Sequence, residues 1–208
     1  MGMYAIRLVC LAALLFSLPA FAQSPSTPEW IAALRSGGHV IVFRHGATHN
    51  DQADTDPFNM QNVDKQRQLN DQGRALAKSI GAAMHTMKIP VGQVYTSQFY
   101  RAVETGKLLG FGTGTATADI TEGGLIVSPN ENNRRMQALR ALIGTAPPAG
   151  TNVVIVTHKP NILDALGKDW FDVREGEASI FKPDGKGGFT PVERVIAADW
   201  AKLAQALN

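Results

Sequence analysis

Two short runs, Val40-Ile41-Val42-Phe43 and Val153-Val154-Ile155-Val156, are apolar at every position. A strand buried on one face alternates apolar with polar residues. A short β-branched run with no polar position instead predicts a strand covered on both faces. Such strands belong to parallel sheets with helices on either side, so the pair predicts an α/β domain.

The patterns around them agree. Thr27-Pro28-Glu29 reads as a helix start, with Thr27 as cap and Pro28 in the first position, and Gly37-Gly38 stops that helix. Asn70-Asp71 predicts a capped helix to about Met87, with Leu76, Ile80, Ala83, Met84 and Met87 on one face. Val91 to Tyr95 reads as a short strand, and Ser97 as the cap of a helix ending near Leu109. One short strand is expected in the Gly/Thr-rich stretch 111–130, and Asn130 is expected to cap a helix over Glu131 to Ile143. Pro160 starts a helix that Gly167 ends. Residues 178–181 and 189–196 flank a turn and read as a hairpin, followed by a last helix from about Ala198 to Leu207. The polar stretch 46–68 reads as a long loop, and long loops in compact domains are often functional.

The N-terminus has a separate character. Arg7 is followed by a run from Leu8 to Leu18 that is apolar apart from Ser17, then Pro19 and Ala20-Phe21-Ala22. This is the pattern of a cleavable export signal, and the run is shorter than the ~20 residues needed to span a bilayer. The expected organisation is a signal over residues 1–22 and one domain over residues 23–208, with a periplasmic or secreted location and no stable membrane insertion after cleavage. An uncleaved anchor helix is the alternative. Cys10, the one cysteine, lies inside the signal, so the mature chain has no thiol for a disulfide, a metal site or a nucleophile. The formal net charge of +2 gives no basis for a nucleic-acid partner.

Both apolar strands run directly into polar clusters. The first is followed by Arg44-His45-Gly46-Ala47-Thr48-His49-Asn50, the second by Thr157-His158-Lys159-Pro160-Asn161. Ligands of open α/β sheets bind beyond the carboxyl ends of the strands. Two histidines and Arg44 at that edge could form one anion site, with Arg101 brought to the same rim by the helix after the third strand. Single histidines at strand ends are mostly structural; two, with two arginines, favour chemistry. His45 and His49 have the spacing of a helical metal pair, but Gly46 follows a strand and no acidic ligand motif accompanies them, so no metal is expected.

The segment R-H-G-A-T at 44–48 resembles the signature of the histidine phosphatase (phosphoglycerate mutase-like) superfamily. Three further stretches are similar to it in order: Leu69-Asn70-Asp71-Gln72-Gly73-Arg74, Tyr95 to Thr105 with Ser97, Arg101 and Thr105 in register, and Val156-Thr157-His158. The resemblance implies a three-layer α/β sandwich and a phosphomonoester hydrolase that works through a phosphohistidine, without metal or other cofactor. It makes His45 the nucleophile and assigns phosphate binding to Arg44, Arg101 and His158, with Thr48 near the phosphate. Asn50 lies one residue short of an Asn that some members use. Arginines beside His45 also favour its neutral, nucleophilic form, and planar guanidinium groups suit phosphate.

The resemblance places a proton-donating Glu after the middle strand. Glu122 fits that place, with Glu131 and Asp119 as alternatives. Lys159 stands where the acid phosphatase branch of the superfamily has an Asp after its second His, which argues for the other branch. Two readings compete with hydrolysis: a phosphomutase, which an extracytoplasmic location disfavours, and a non-catalytic phosphate- or phosphoglycan-binding module. The implied substrate is a small-molecule or glycan phosphomonoester, selected by the 51–68 and 111–135 loops. Trp170, Phe171 and Trp200 are expected in core or rim packing. Lys159 could face solvent or phosphate, and Arg134-Arg135 reads as a solvated helix start.

Overall fold

The computed structural model describes residues 27–123 and 127–207; the expected export signal lies outside the described residues. In chain order the elements are α1 (Glu29–Ser36), β1 (Val40–Arg44), α2 (Asp71–Thr86), β2 (Val91–Ser97), α3 (Tyr100–Leu108), β3 (Thr115–Thr117), α4 (Pro129–Gly144), β4 (Asn152–Thr157), α5 (Lys159–Leu166), β5 (Ala178–Pro183), β6 (Phe189–Val195) and α6 (Asp199–Ala206). The six strands form one sheet in the order β3-β2-β4-β1-β5-β6. β1, β2, β3 and β4 are parallel, and the β5–β6 hairpin adds two antiparallel strands beside β1.

The two apolar runs are the neighbouring central strands β4 and β1, and their uniform apolarity follows from helices on both faces. Successive strand residues point to opposite sides. Ile41, Phe43, Val154 and Val156 pack against Ile31, Ile80, Met84, Ala102 and Trp200 of α1, α2, α3 and α6. Val40, Val42, Val153 and Ile155 pack against Leu139, Ile143 and Ile162 of α4 and α5. The result is the expected three-layer sandwich around a mostly parallel sheet. Fully buried Trp200 lies against Trp30 and Phe43, so its core assignment holds.

Three helix starts differ from the sequence reading. Asn70 caps α2 through its side chain, as expected, but α1 begins at Glu29 with Pro28 in the cap position and no side-chain cap from Thr27. α4 starts two residues earlier than expected, because Pro129 suits the first helical turn and Ser128 Oγ, not Asn130, accepts from Glu131 N. Ser97 ends β2 instead of capping α3; its hydroxyl faces the carboxyl edge of β4, where it has another use. Phe171 sits exposed on the rim, with Lys159 Nζ 4.7 Å from its ring centre, so Lys159 is drawn toward that aromatic.

Candidate active site

The parallel register of β1 and β4 runs to Arg44 opposite Thr157. The next residue on each strand is therefore His45 and His158, and their ring centres lie 5.1 Å apart. Backbone contacts lock this edge: His45 N donates to Thr157 O at 3.0 Å, and Gly176 N, ahead of β5, donates to the carbonyls of Arg44 and His45. Gly46 N donates to Thr105 Oγ1 at 3.0 Å, and that hydroxyl donates to Arg101 O at 2.7 Å. Thr105 thus ties the loop after β1 to the first turn of α3, fixing His45 relative to Arg101.

His45 is 2 % exposed. Its Nδ1 lies 2.8 Å from Gly46 O, and a carbonyl can only accept, so Nδ1 carries the proton and Nε2 keeps its lone pair. Burial, reinforced by the charges of Arg101, Arg44 and Arg67, pushes the His45 pKa down to about 3. The ring is neutral throughout the physiological range. His158, fully buried, is also held well below its ordinary pKa, first by burial and then by His45 and Arg101. Its Nε2 lies 2.6 Å from Ser97 Oγ and its Nδ1 3.3 Å from Glu122 Oε1, the latter too poorly aligned for a hydrogen bond. The Phe99 ring packs edge-on to His158.

Arg101 is fully buried, and two carboxylates hold it. Nη1 donates to both oxygens of Asp54 at 3.0 and 3.1 Å, and Nη2 pairs with Glu122. Its guanidinium lies 4.2 Å above the Phe99 ring. Arg44 donates from Nη1 to Val173 O at 2.9 Å and from Nη2 to Glu175 at 3.3 Å. Buried side-chain polar atoms normally find partners. Among the described residues eight lack one, and four of these belong to Arg44, Thr48, Arg101 and His158. That concentration marks the pocket for an outside ligand, and the two Arg Nε–H groups suit an anionic one.

The structure therefore gathers His45, His158, Arg44, Arg101, Glu122 and the buried Thr48 at one strand edge. Asn50 is not brought in: it is exposed on a turn and makes no side-chain hydrogen bond to this cluster. Glu131 is bound by Arg134 and Arg135, which pull its carboxyl down to about 2 and leave it ionised at neutral pH. Asp119 pairs with Arg134 on the surface. Arg135 is not a solvated helix start: its Nη1 donates to Thr121 O at 2.6 Å. His39 is buried against Gly37 O, and His85 stacks on Phe111. Among the described residues no three His, Cys, Asp or Glu side chains cluster closely enough to share a metal ion.

Four residues at this edge were not among the expected site residues. Ser97 and Thr105 stood inside the motif, and their hydroxyls contact the His158 ring and Gly46. Asp54 and Arg67 come from the 51–68 loop, where nothing in local sequence distinguishes them from solvated neighbours. Asp54 Oδ1 accepts from Arg67 N at 2.9 Å, which folds this part of the loop over Arg101.

A sequence profile described as histidine phosphatase superfamily (branch 1) matches residues 40–126. Among solved structures the chain is similar to the protein histidine phosphatase SixA complexed with tungstate: 18% identity, TM-score 0.56, 77% of this chain and 98% of that one. It is similar to a mycobacterial glucosyl-3-phosphoglycerate phosphatase with inorganic phosphate: 15% identity, TM-score 0.54, 77% and 99% covered. It is also similar to phosphoserine phosphatase from Entamoeba histolytica in complex with 3-phosphoglyceric acid: 15% identity, TM-score 0.51, 75% and 95% covered. No curated protein sequence matches the chain. At these identities the structures speak for the fold alone; the profile begins at β1 and spans the Arg44-His45 and Arg101 motifs. Over residues 40–126 the chain is therefore similar to the histidine phosphatase superfamily, branch 1, and its fold is shared with solved phosphatases.

Proposed function

We propose that the chain is a phosphomonoester hydrolase that passes the phosphoryl group through Nε2 of His45. The observation that carries this reading is the state of that ring. Gly46 O takes the Nδ1 proton and burial keeps the imidazole neutral, so a free lone pair stands beside buried guanidinium groups. Phosphate would take over Arg101 from Asp54 and Glu122, with Arg44, His158 and the unpartnered Thr48 hydroxyl completing its oxygen contacts. Fixed positive groups of this kind supply much of the catalysis in phosphoryl transfer.

As phosphate displaces the Glu122 carboxylate from Arg101, that carboxylate takes up the proton of the substrate monoanion. In the first step His45 Nε2 then attacks phosphorus, the ester P–O bond breaks, and the leaving oxygen takes this proton from Glu122. The phosphorylated ring is cationic, so its Nδ1–H bond to Gly46 O strengthens as the reaction proceeds. In the second step water attacks phosphorus and gives a proton to the Glu122 carboxylate. The N–P bond breaks, inorganic phosphate leaves, and neutral His45 is restored. Splitting the reaction in two matters, because phosphate monoester hydrolysis needs accelerations of up to ~10²¹-fold.

An acid-labile phosphoenzyme should form on brief exposure to a labelled phosphate ester. It should be absent in His45→Ala, and chelator should leave wild-type turnover unchanged. A fully active His45→Ala protein refutes the mechanism, and label passing to an acceptor alcohol instead of water makes the chain a mutase. The export signal read in residues 1–22 supports action outside the cytoplasm, which cell fractionation checks.

A further inference from the structure

A cleft of about 520 Å³ opens against Glu122 and Asp54, the two carboxylates that hold Arg101. Its walls are Pro57, Phe58 and Met60 from the 51–68 loop, Phe99 and Val127. Phe58 is 82 % exposed, the most open large apolar side chain among the described residues. An aromatic ring left uncovered beside a phosphate-binding edge has a cost in water that an apolar ligand would recover.

Apart from the uncharged Gln98 amide, the polar side chains lining the cleft are already committed. Thr121 Oγ1 donates to Thr117 O at 2.8 Å and accepts from Gln98 N at 2.8 Å. Arg135, the one cation lining the cleft among the described residues, donates to Thr121 O and to Glu131. A second phosphate or carboxylate on the substrate would find no free cation there, and it would approach Asp54 and Glu122.

We propose that this cleft is the leaving-group site and takes the uncharged aromatic or apolar alcohol portion of the phosphomonoester, with Phe58 as its stacking face. The inference rests on His45 as the phosphoryl acceptor: continuity with Glu122 puts the ester oxygen at the junction of the two sites. The occupant is therefore an aryl or similarly apolar phosphate, not a sugar bisphosphate or another polyanion.

The test compares 2-naphthyl phosphate with glycerol 1-phosphate by kcat/KM on the full chain. Intrinsic ester reactivity cancels when the ratio of the two is compared between proteins. Phe58→Ala should lower that ratio about tenfold, the usual scale for an apolar pocket contact, and Phe58→Trp should retain it. An unchanged ratio in Phe58→Ala, or a sugar bisphosphate outperforming 2-naphthyl phosphate on the wild type, overturns the proposal. Phosphorylation of His45 with an unchanged ratio refutes only the leaving-group site. Failure of both esters to phosphorylate His45 refutes the underlying mechanism instead.

Discussion

Gly73, in the first turn of α2, offers a sharp test of how the site is positioned. A Cβ at this residue would stand 2.1 Å from Ala47 O and 2.7 Å from Ala47 N, where real Cβ contacts stay above 3.0 Å. Backbone faces it, so no side chain can rotate away. Gly73→Ala must push the loop after His45 and the helix apart by at least 0.9 Å (3.0 − 2.1). Gly46 lies in the same contact, its own Cβ position being 3.1 Å from Gly73 O, so the movement reaches the His45 peptide. A displacement of about 1 Å at a reacting group can cost on the order of 100-fold in rate. Stability is a poorer reporter. Overpacking costs about 1–3 kcal/mol, while Gly→Ala inside a helix returns about 1 kcal/mol. Gly81 supplies the control: it sits two turns further along α2, where a Cβ would meet Leu109 O at 2.2 Å, at the far end of α3 from Arg101. The assay is kcat/KM for an aryl phosphate per folded molecule, with thermal unfolding to count folded protein. Gly73→Ala should lose about 100-fold, and Gly81→Ala only stability. A folded Gly73→Ala protein within threefold of wild type refutes the positioning argument.

Two further outcomes follow from the charges. The pKa of His45 falls from 6.5 in the unfolded chain to about 3 in the folded one, so between these values the unfolded state binds more protons. The contribution of His45 to stability is therefore complete above about pH 6.5 and lost as pH falls toward 3. Each pH unit in that window is worth ~1.4 kcal/mol for this ring, on the order of 5 kcal/mol in all. Urea unfolding at a series of pH values should show at least that slope, since His158 adds to it in the same direction, and His45→Gln should reduce it; an unchanged slope in the variant refutes the assignment. Asp54→Asn removes a carboxylate that competes with phosphate for Arg101, while the Asn oxygen can still accept from Arg67 N. The inhibition constant of inorganic phosphate should fall about five- to tenfold, roughly 1 kcal/mol. A constant that stays the same or rises contradicts the competition.

The parts that could be read from the chain are those where local pattern and burial share a cause. Strands apolar on both faces must be central, and their ends must expose whatever polar residues follow. His45 and His158 were therefore legible as a pair, and Arg101 nearly so. The capping residues show the limit. Ser97 has a capping side chain at a helix start, yet His158, 61 residues away in sequence, claims its hydroxyl. Asp54 was illegible for the same reason. Its meaning depends on Arg101, 47 residues further on, and a loop rich in Asn, Asp and Gln gives no local sign of which carboxylate turns inward. Asn50 went the other way, since a position borrowed from a pattern one residue out of step lands on the exposed side of a turn.

The strand order has a consequence for how the chain acquires its shape. β4 lies between β1 and β2, and β5 flanks β1 on its other side. As the polypeptide emerges from the ribosome, β1 and β2 appear first but cannot pair with each other. β1 has no hydrogen-bonded neighbour until residues 152–157 are made, more than a hundred positions later. Contacts of such long sequence separation slow folding and leave apolar surface waiting for its partner. A chain cut after residue 126 would hold Arg44, His45 and Arg101 yet lack the strand that joins β1 to β2. The same strand delivers His158, so one late event links the two parts of the sheet and supplies the second histidine of the pocket. A nascent or truncated chain is therefore expected to be inert, with no partly working form along the way.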